Sequence, residues 1–523
     1  VKDESFDFER IALFFAHQKY EEGSQVIDEK VLNDLDFEDL FISMDRTSSS
    51  VGQQYLYAKL RVIPGERDLT IRNEQYIEYL SRNRKLKEDV IIQLHTLNNQ
   101  GAYFLHRLFT SHQVEQPGWF WLINVLSVSV VSLLLISVFY SPALLFAGLL
   151  VTVNLFIHFW NKNNILSYSN IIPQLLTLHK VASWLHEKVI EDKQQQAVGK
   201  AIRKLHGIRR FAFFFQWESR SVDPISQVSD YFMDLIKGAL LLEPIIFFRL
   251  LRQIESKNEE IETLYRAVGE VDMAISLATW RDTLPFFCKP EFADTSGKKW
   301  QARKIFHPLI DNPVSNDLAL TDQRSVLLSG SNMSGKTTFI RTIGINTLLA
   351  QTINIACAER LILSPFRVYS AIRITDDLLD DTSYYYEEVK TIKTLADESR
   401  KEQFNLYLLD EIFKGTNTIE RVASGKAVLS YLNGPRNLVF CATHDLELID
   451  YLKHEYEYYH FEETIVDGRL VFDYQLKEGS LNNTNAIRIL ELNGFPVQIT
   501  EEAKELAGEL TKLKKTKNDN RGA

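Results

Sequence analysis

The chain has 523 residues, with 59 Lys and Arg against 69 Asp and Glu, for a formal charge of -10. That length exceeds what one hydrophobic core usually holds, so two or three domains are expected. The acidic balance argues against a surface that embraces nucleic acid throughout, leaving only local DNA contact. The three cysteines, Cys288, Cys357 and Cys441, are far apart in sequence. They argue against a disulfide framework and a zinc site, and they fit a reducing cytoplasm.

Residues 1–118 predict a helical domain, with apolar positions at helical spacing such as Leu32, Leu35 and Leu40, then Tyr76, Ile77 and Leu80. The texture breaks at 119–160. Residues 119–140 carry no charge and few polar groups beyond Asn124 and scattered serines, Ser141-Pro142 punctuates them, and 143–160 are apolar again except at Thr152, Asn154 and His158. A bilayer core needs roughly 20 apolar residues per helix, which each half supplies. Trp119, Trp121, Tyr140 and Trp160 stand where interfacial aromatics belong. The expectation is a two-helix transmembrane hairpin with both ends in the cytoplasm, anchored in the inner (cytoplasmic) membrane. The alternative is a hairpin buried in a large soluble core, although neither half shows the polar face of an amphipathic helix.

Residues 161–282 return to amphipathic helix. The apolar run at 232–251 is interrupted by Asp234, Lys237, Glu243 and Arg249, which predicts a core helix and not a third span. From 283 to 499, short apolar runs at 325–328, 406–409 and 438–441 alternate with helical stretches, the pattern of a largely parallel α/β sheet. A last helix is expected from Thr500, fraying into a disordered basic tail at Lys514, Lys515 and Lys517 within 500–523.

The chemistry concentrates in the α/β part. Gly330, Ser331, Asn332, Met333, Ser334, Gly335, Lys336 and Thr337 form a phosphate loop between an apolar strand and a helix, with Thr338 next along that helix. The glycines let backbone N–H groups converge on phosphate oxygens, Lys336 adds a point charge, and the Thr337 hydroxyl suits Mg2+. The strand at 406–409 ends in Asp410 and Glu411. Asp410 is placed to hold Mg2+ through water, and Glu411 to polarise the attacking water. The strand at 438–441 ends in Ala442-Thr443-His444, so His444 is placed to sense the terminal phosphate of ATP.

These residues resemble the MutS family of ATPases, within the ABC-type class. The resemblance rests on His307-Pro308-Leu309, Asn316-Asp317, Asn332-Met333 inside the phosphate loop, Ser383 with Glu388, and Asp410-Glu411-Ile412 followed by Gly415-Thr416-Asn417-Thr418. It continues through Ala442-Thr443-His444-Asp445. Upstream, Leu35-Asp36, Asp45-Arg46-Thr47 and Gly52-Gln53-Gln54 look like the opening of that family's helical lever, and Glu270-Val271-Asp272 like its return to the ATPase. The resemblance implies a homodimer through the ATPase domains, with composite ATP sites in which Ser383 acts catalytically from the partner subunit. It implies a base held near Val314 and Tyr474, where the family more often has an aromatic residue and a histidine. It further implies a role in DNA mismatch repair or DNA-structure sensing. The hairpin stands where relatives extend the lever towards a DNA clamp, and the expectation is a membrane-anchored variant lacking the mismatch-recognition domain. The alternative is a membrane-associated mechanochemical ATPase acting on a protein or lipid partner without DNA. The basic stretch 200–210, followed by Phe211 to Phe215 and Trp217, is the remaining DNA candidate. On a helix, Ile202, Leu205 and Ile208 would form its apolar stripe, leaving the basic residues solvated or against anionic lipid.

Overall fold

The computed structural model describes residues 5–65, 68–110, 118, 120–190, 193–207, 235–293, 297–320, 324–331, 333–373, 384–466, 469–479 and 486–519. Trp119, Asn332, Ser383 and the stretch 208–234 lie outside the described residues. The chain forms two compact units: residues 1–24 with 41–283, and residues 25–40 with 284–523.

The first unit is helical. At its centre the helix Ser50–Leu60 packs along Asn258–Arg281. Ser49 caps the shorter helix by accepting from Gly52 N at 3.0 Å. The fully buried Asp272 carboxylate accepts from Ser48 N and Ser49 N, each at 2.8 Å, and from Ser49 Oγ at 2.5 Å. A Cβ on Gly52 would lie 2.1 Å from Asp272 Oδ2, so only glycine lets the two helices approach this closely. Nearby, Arg281 donates twice to the buried Glu74 carboxylate at 2.7 Å.

The hairpin consists of Phe120–Ser137 and Ala143–Ser169, turning where Ala143 N donates to Tyr140 O at 3.0 Å. Among the described residues, Phe120–Ser137 and Ala143–Trp160 are the two helical segments long and apolar enough to cross a membrane. Only 17% and 22% of these segments is buried, and Phe139 is 94% exposed. The helix Leu242–Glu255 grips one end of the hairpin. Phe248 meets the Phe120 ring edge-on at 5.1 Å, and Glu243 approaches His158 Nδ1 at 3.3 Å. Two of the polar interruptions in the second apolar run, Asn154 and His158, thus face protein, and Asn154 Nδ2 donates to Ala239 O at 2.7 Å. The helix at 242–255 matches the expected core segment, but Leu241, at φ 49°, interrupts the helical run ahead of it. The helix Lys193–Leu205 buries Val198, Ala201 and Leu205 and exposes Lys200, Arg203 and Lys204. Its apolar stripe is therefore offset from the expected one, with Ile202 half-buried at the margin.

The second unit is a mixed α/β domain. Its main sheet contains β1 (Ser325–Ser329), β2 (Phe366–Ala371), β3 (Phe404–Asp410), β4 (Asn437–Ala442), β5 (Tyr456–His460) and β6 (Lys477–Glu478), in the order β6-β5-β1-β4-β3-β2. All neighbours are parallel except the β5–β6 edge pair. β1 and β4 are buried along their whole length, which explains their unbroken apolar runs. The helices α1 (Lys336–Ile353), α2 (Tyr384–Glu398) and α3 (Thr418–Leu432) connect these strands. A second sheet joins Glu291–Phe292, Arg360–Leu363, Trp300–Ile305 and Asn316–Ala319.

Two features differ from expectation. Residues 25–40 group with this unit, not with the helical one. The buried Asp34 carboxylate accepts from Ser370 Oγ at 2.6 Å, Ile372 N at 3.0 Å and Arg373 N at 2.7 Å, while Asp36 binds Arg341 and Arg373. The last helix, Val497–Asp519, starts before Thr500 and continues through the basic residues expected to be disordered. Its Glu, Lys, Ala and Leu content is that of strong helix formers.

Candidate active site

Three adjacent parallel strands deliver the site. β4 lies between β1 and β3, with Ala442 opposite both Leu328 and Asp410, so the chain leaves all three strands at the same edge of the sheet. In open α/β sheets that edge forms the ligand crevice. From β1 the chain turns at Gly330 (φ 142°) and Gly335 (φ 108°) into the N-terminus of α1. A Cβ on Gly330 would lie 2.7 Å from both Phe461 O and Ser334 Oγ. Ser334 is buried, with its hydroxyl donating to Ser331 O at 2.8 Å, whereas Met333 points outward.

Lys336 is buried and donates to Gly330 O and Ser331 O, each at 2.8 Å. Burial lowers its pKa, with Asp410 and Glu411 pulling the other way. Thr337 Oγ1 donates to Asp410 Oδ2 at 2.5 Å. Burial raises the Asp410 pKa above the usual carboxylate value, partly offset by the Thr337 hydroxyl. No cluster of three His, Cys, Asp or Glu side chains suited to a metal occurs among the described residues. A hydroxyl beside a carboxylate nevertheless fits Mg2+, which usually takes only one or two protein ligands and completes its octahedron with water and phosphate oxygens.

Glu411 follows directly at φ 50°, its N–H donating to Ala442 O at 3.0 Å. Its carboxylate meets His444 Nε2 at 2.6 Å and Lys414 Nζ at 2.7 Å. The His444 hydrogen bond leads in holding the Glu411 pKa down at about 2, against burial and with help from Lys414. His444 Nε2 also lies 3.4 Å from Lys336 Nζ. A 2.6 Å contact to a carboxylate requires the proton on Nε2, so the Lys336 approach is proximity and not a hydrogen bond. Behind His444, Arg421 makes a bidentate pair with Asp445 at 2.7 Å.

Beside these groups lies a cavity of about 600 Å3, lined by His307, Val314, Asn316, Met333, Thr338 and Tyr474 together with Gly335, Lys336 and Thr337. Asn316 explains how a distant loop reaches it. Its side chain donates to Tyr474 O at 3.1 Å and accepts from Leu476 N at 2.7 Å, fixing Tyr474 (φ 52°) over the phosphate loop. Burial lowers the His307 pKa to about 4, and His307 Nδ1 accepts from Leu309 N at 3.3 Å.

The structure thus brings together Lys336, Thr337, Asp410, Glu411 and His444, with Val314, Thr338 and Tyr474 around the adjoining cavity. Ser383 and Asn332 lie outside the described residues. Sequence reasoning passed over Lys414 and the Arg421–Asp445 pair. Lys414 lies inside the quoted 410–418 motif, but only the fold turns its ammonium onto Glu411.

The family described as MutS domain V matches residues 326–511. A DNA mismatch repair protein MutS from Petrotoga mobilis is 29% identical over 300 residues, covering 54% of this chain and 36% of that protein. The corresponding protein of a Geobacillus species is 27% identical, covering 54% of this chain and 33% of its own length. Human MutS protein homolog 4 is 30% identical, covering 51% and 30% respectively. The chain therefore spans about a third of the length of these curated relatives. The match runs over the strands and loops that build the site, so residues 326–511 carry a domain similar to MutS domain V.

Proposed function

We propose that this chain is an Mg2+-dependent ATPase that works as a membrane-tethered homodimer. The observation that carries this reading is the placement of the Thr337–Asp410 pair and the Glu411–His444 pair beside one phosphate loop, whose Lys336 and Thr337 also line a cavity together with Tyr474. Thr337 and Asp410 would hold Mg2+, which supplies charge neutralisation at the phosphate oxygens. The loop N–H groups and Lys336 bind the phosphates. Glu411 accepts a hydrogen bond from the attacking water and aims it in line with the terminal phosphate. His444 fixes the Glu411 carboxylate and faces that phosphate. The resemblance assigns Ser383 a place in the partner's site, where a serine hydroxyl would stabilise developing charge.

Exposed apolar side chains on the segments bordering the site, Met333 at 72% and Ile419 at 83%, support closure against a second copy. The outward apolar surface of the hairpin supports insertion of 119–160 in a bilayer, with both units on the cytoplasmic side. Dimer opening and closing would then be the output passed to the helical lever.

A second reading adds DNA as an effector. It is favoured by the names of the relatives and by the exposed Lys200, Arg203 and Lys204, although Lys204 is already paired with Glu260. ATP turnover of the detergent-purified protein, measured with duplex, mismatched and branched DNA across salt concentrations, separates the readings. Stimulation that falls steeply with salt supports the DNA sensor. Turnover indifferent to every DNA supports a membrane or protein partner, and absence of turnover with saturating ATP and Mg2+ removes the enzymatic reading.

A further inference from the structure

The loop 411–417 that carries Glu411 has an unusual backbone. Glu411 and Phe413 both adopt left-handed conformations, at φ 50° and 61°, and neither is glycine. Left-handed backbone is unfavourable for a residue with a Cβ, so the surroundings must impose the shape. The carboxylate of Glu388, on α2, is fully buried directly against this loop. It accepts a short hydrogen bond from Phe413 N and also faces the N–H groups of Lys414 and Gly415. Successive N–H groups turned to one side form a nest for an anion, and here the anion is a side chain from another helix. Burial raises the Glu388 pKa, opposed by those N–H groups and by the charge of Lys30. The nest begins two residues after Glu411 and includes Lys414, whose ammonium grips the Glu411 carboxylate at 2.7 Å.

We infer that Glu388 is a positioning residue through which α2 sets the backbone of the 411–417 loop and so aims Glu411 at the phosphate loop. The inference rests on reading Glu411 as the group that orients water. It has a mechanical consequence: a contact that displaces the first turn of α2 also displaces Glu411. That turn is adjacent to the loop, with the Tyr385 and Phe413 rings 6.4 Å apart.

The test compares full-length wild type with Glu388→Gln, which keeps size but presents an amide to the nest, and with Glu388→Asp, which keeps the charge on a shorter arm. Amide exchange by mass spectrometry, binding of a fluorescent ATP analogue and steady-state phosphate release are measured on each. In Glu388→Gln we expect exchange in 412–417 to rise at least about tenfold while α1 is unaffected. kcat should fall about 10- to 100-fold, as for a misplaced reacting group, with ATP affinity within about twofold of wild type. Glu388→Asp should recover part of kcat. Unchanged protection of 412–417, unchanged kcat, or affinity and kcat falling together with thermal stability would each overturn the inference. Wild type without ATP turnover would sink the hydrolysis reading instead, and the exchange comparison would still decide whether Glu388 holds the loop.

Discussion

Replacing Glu411 by Gln separates chemistry from architecture in this site. The substitution keeps shape and removes one charge. Its two partners, His444 and Lys414, are substantially solvent-exposed, whereas the Glu411 side chain is 19% exposed. Ion pairs of this partly solvated kind contribute at most about 1 kcal/mol, so the variant should fold and bind ATP with near-normal affinity. A positioned general base contributes about 10²- to 10⁴-fold to rate. Each factor of ten is about 1.36 kcal/mol of activation free energy, so the expected loss is about 2.7–5.4 kcal/mol, seen in kcat and not in nucleotide binding. Phosphate release under saturating ATP measures the first, and titration with a fluorescent analogue measures the second. ATP-dependent dimer accumulation by light scattering should rise, because the closed state is no longer discharged. The same residue has a pH signature. Its pKa falls from the usual carboxylate value to about 2 in the folded chain, so its stabilising contribution is present above about pH 4.5 and is lost as pH falls toward 2. The variant should lack that part of the acid sensitivity. Unchanged turnover in Glu411→Gln, with intact ATP binding, would remove Glu411 from the mechanism.

Three other outcomes follow from the structure. Tyr474→Ala should weaken ATP binding by roughly 5- to 150-fold, since stacking on a base is worth about 1–3 kcal/mol, with kcat at saturation retained; an unchanged dissociation constant would place the base elsewhere. Deleting 119–160 should release the chain from membranes into the soluble fraction with its ATP binding intact, and continued co-sedimentation of the folded variant would contradict the anchor. Asp272→Asn leaves buried donors at Ser48 and Ser49 poorly matched, a loss of about 3 kcal/mol at a few kcal/mol per unsatisfied group; thermal unfolding of the helical unit should move down while ATP binding persists, and an unmoved midpoint would refute the role of this cap.

Phosphate-loop chemistry is legible in sequence because its parts are local. The Gly330-to-Thr337 segment must turn tightly after a buried strand and before a helix, and each requirement leaves its mark within eight positions. Asp410-Glu411 and His444 were legible for a related reason, since each ends an unbroken apolar strand and parallel strands present their C-terminal ends to one crevice. The hairpin was visible as two uncharged runs, and even Asn154 and His158 left a trace as polar interruptions. Their partners, Ala239 and Glu243, were out of reach because they lie 85 residues away in sequence.

What sequence could not supply was long-range partnership. Asp272 and Gly52 stood in separate motifs, each resembling one end of the lever, with nothing local to say that the carboxylate of one fills the space where the other lacks a Cβ. Residues 25–40 have helical periodicity like the segments on either side, so pattern alone groups them with the helical domain. Their allegiance to the ATPase-like unit comes from Asp34, whose carboxylate satisfies donors at 370–373 across more than 330 residues of chain. Periodicity reports which face of an element is apolar, but not which body buries it. The same limit explains Glu388. In sequence it is one of two adjacent acids, Glu387 and Glu388, near the start of α2, and only the fold, by turning Phe413, Lys414 and Gly415 toward it, makes its carboxylate part of the site's geometry.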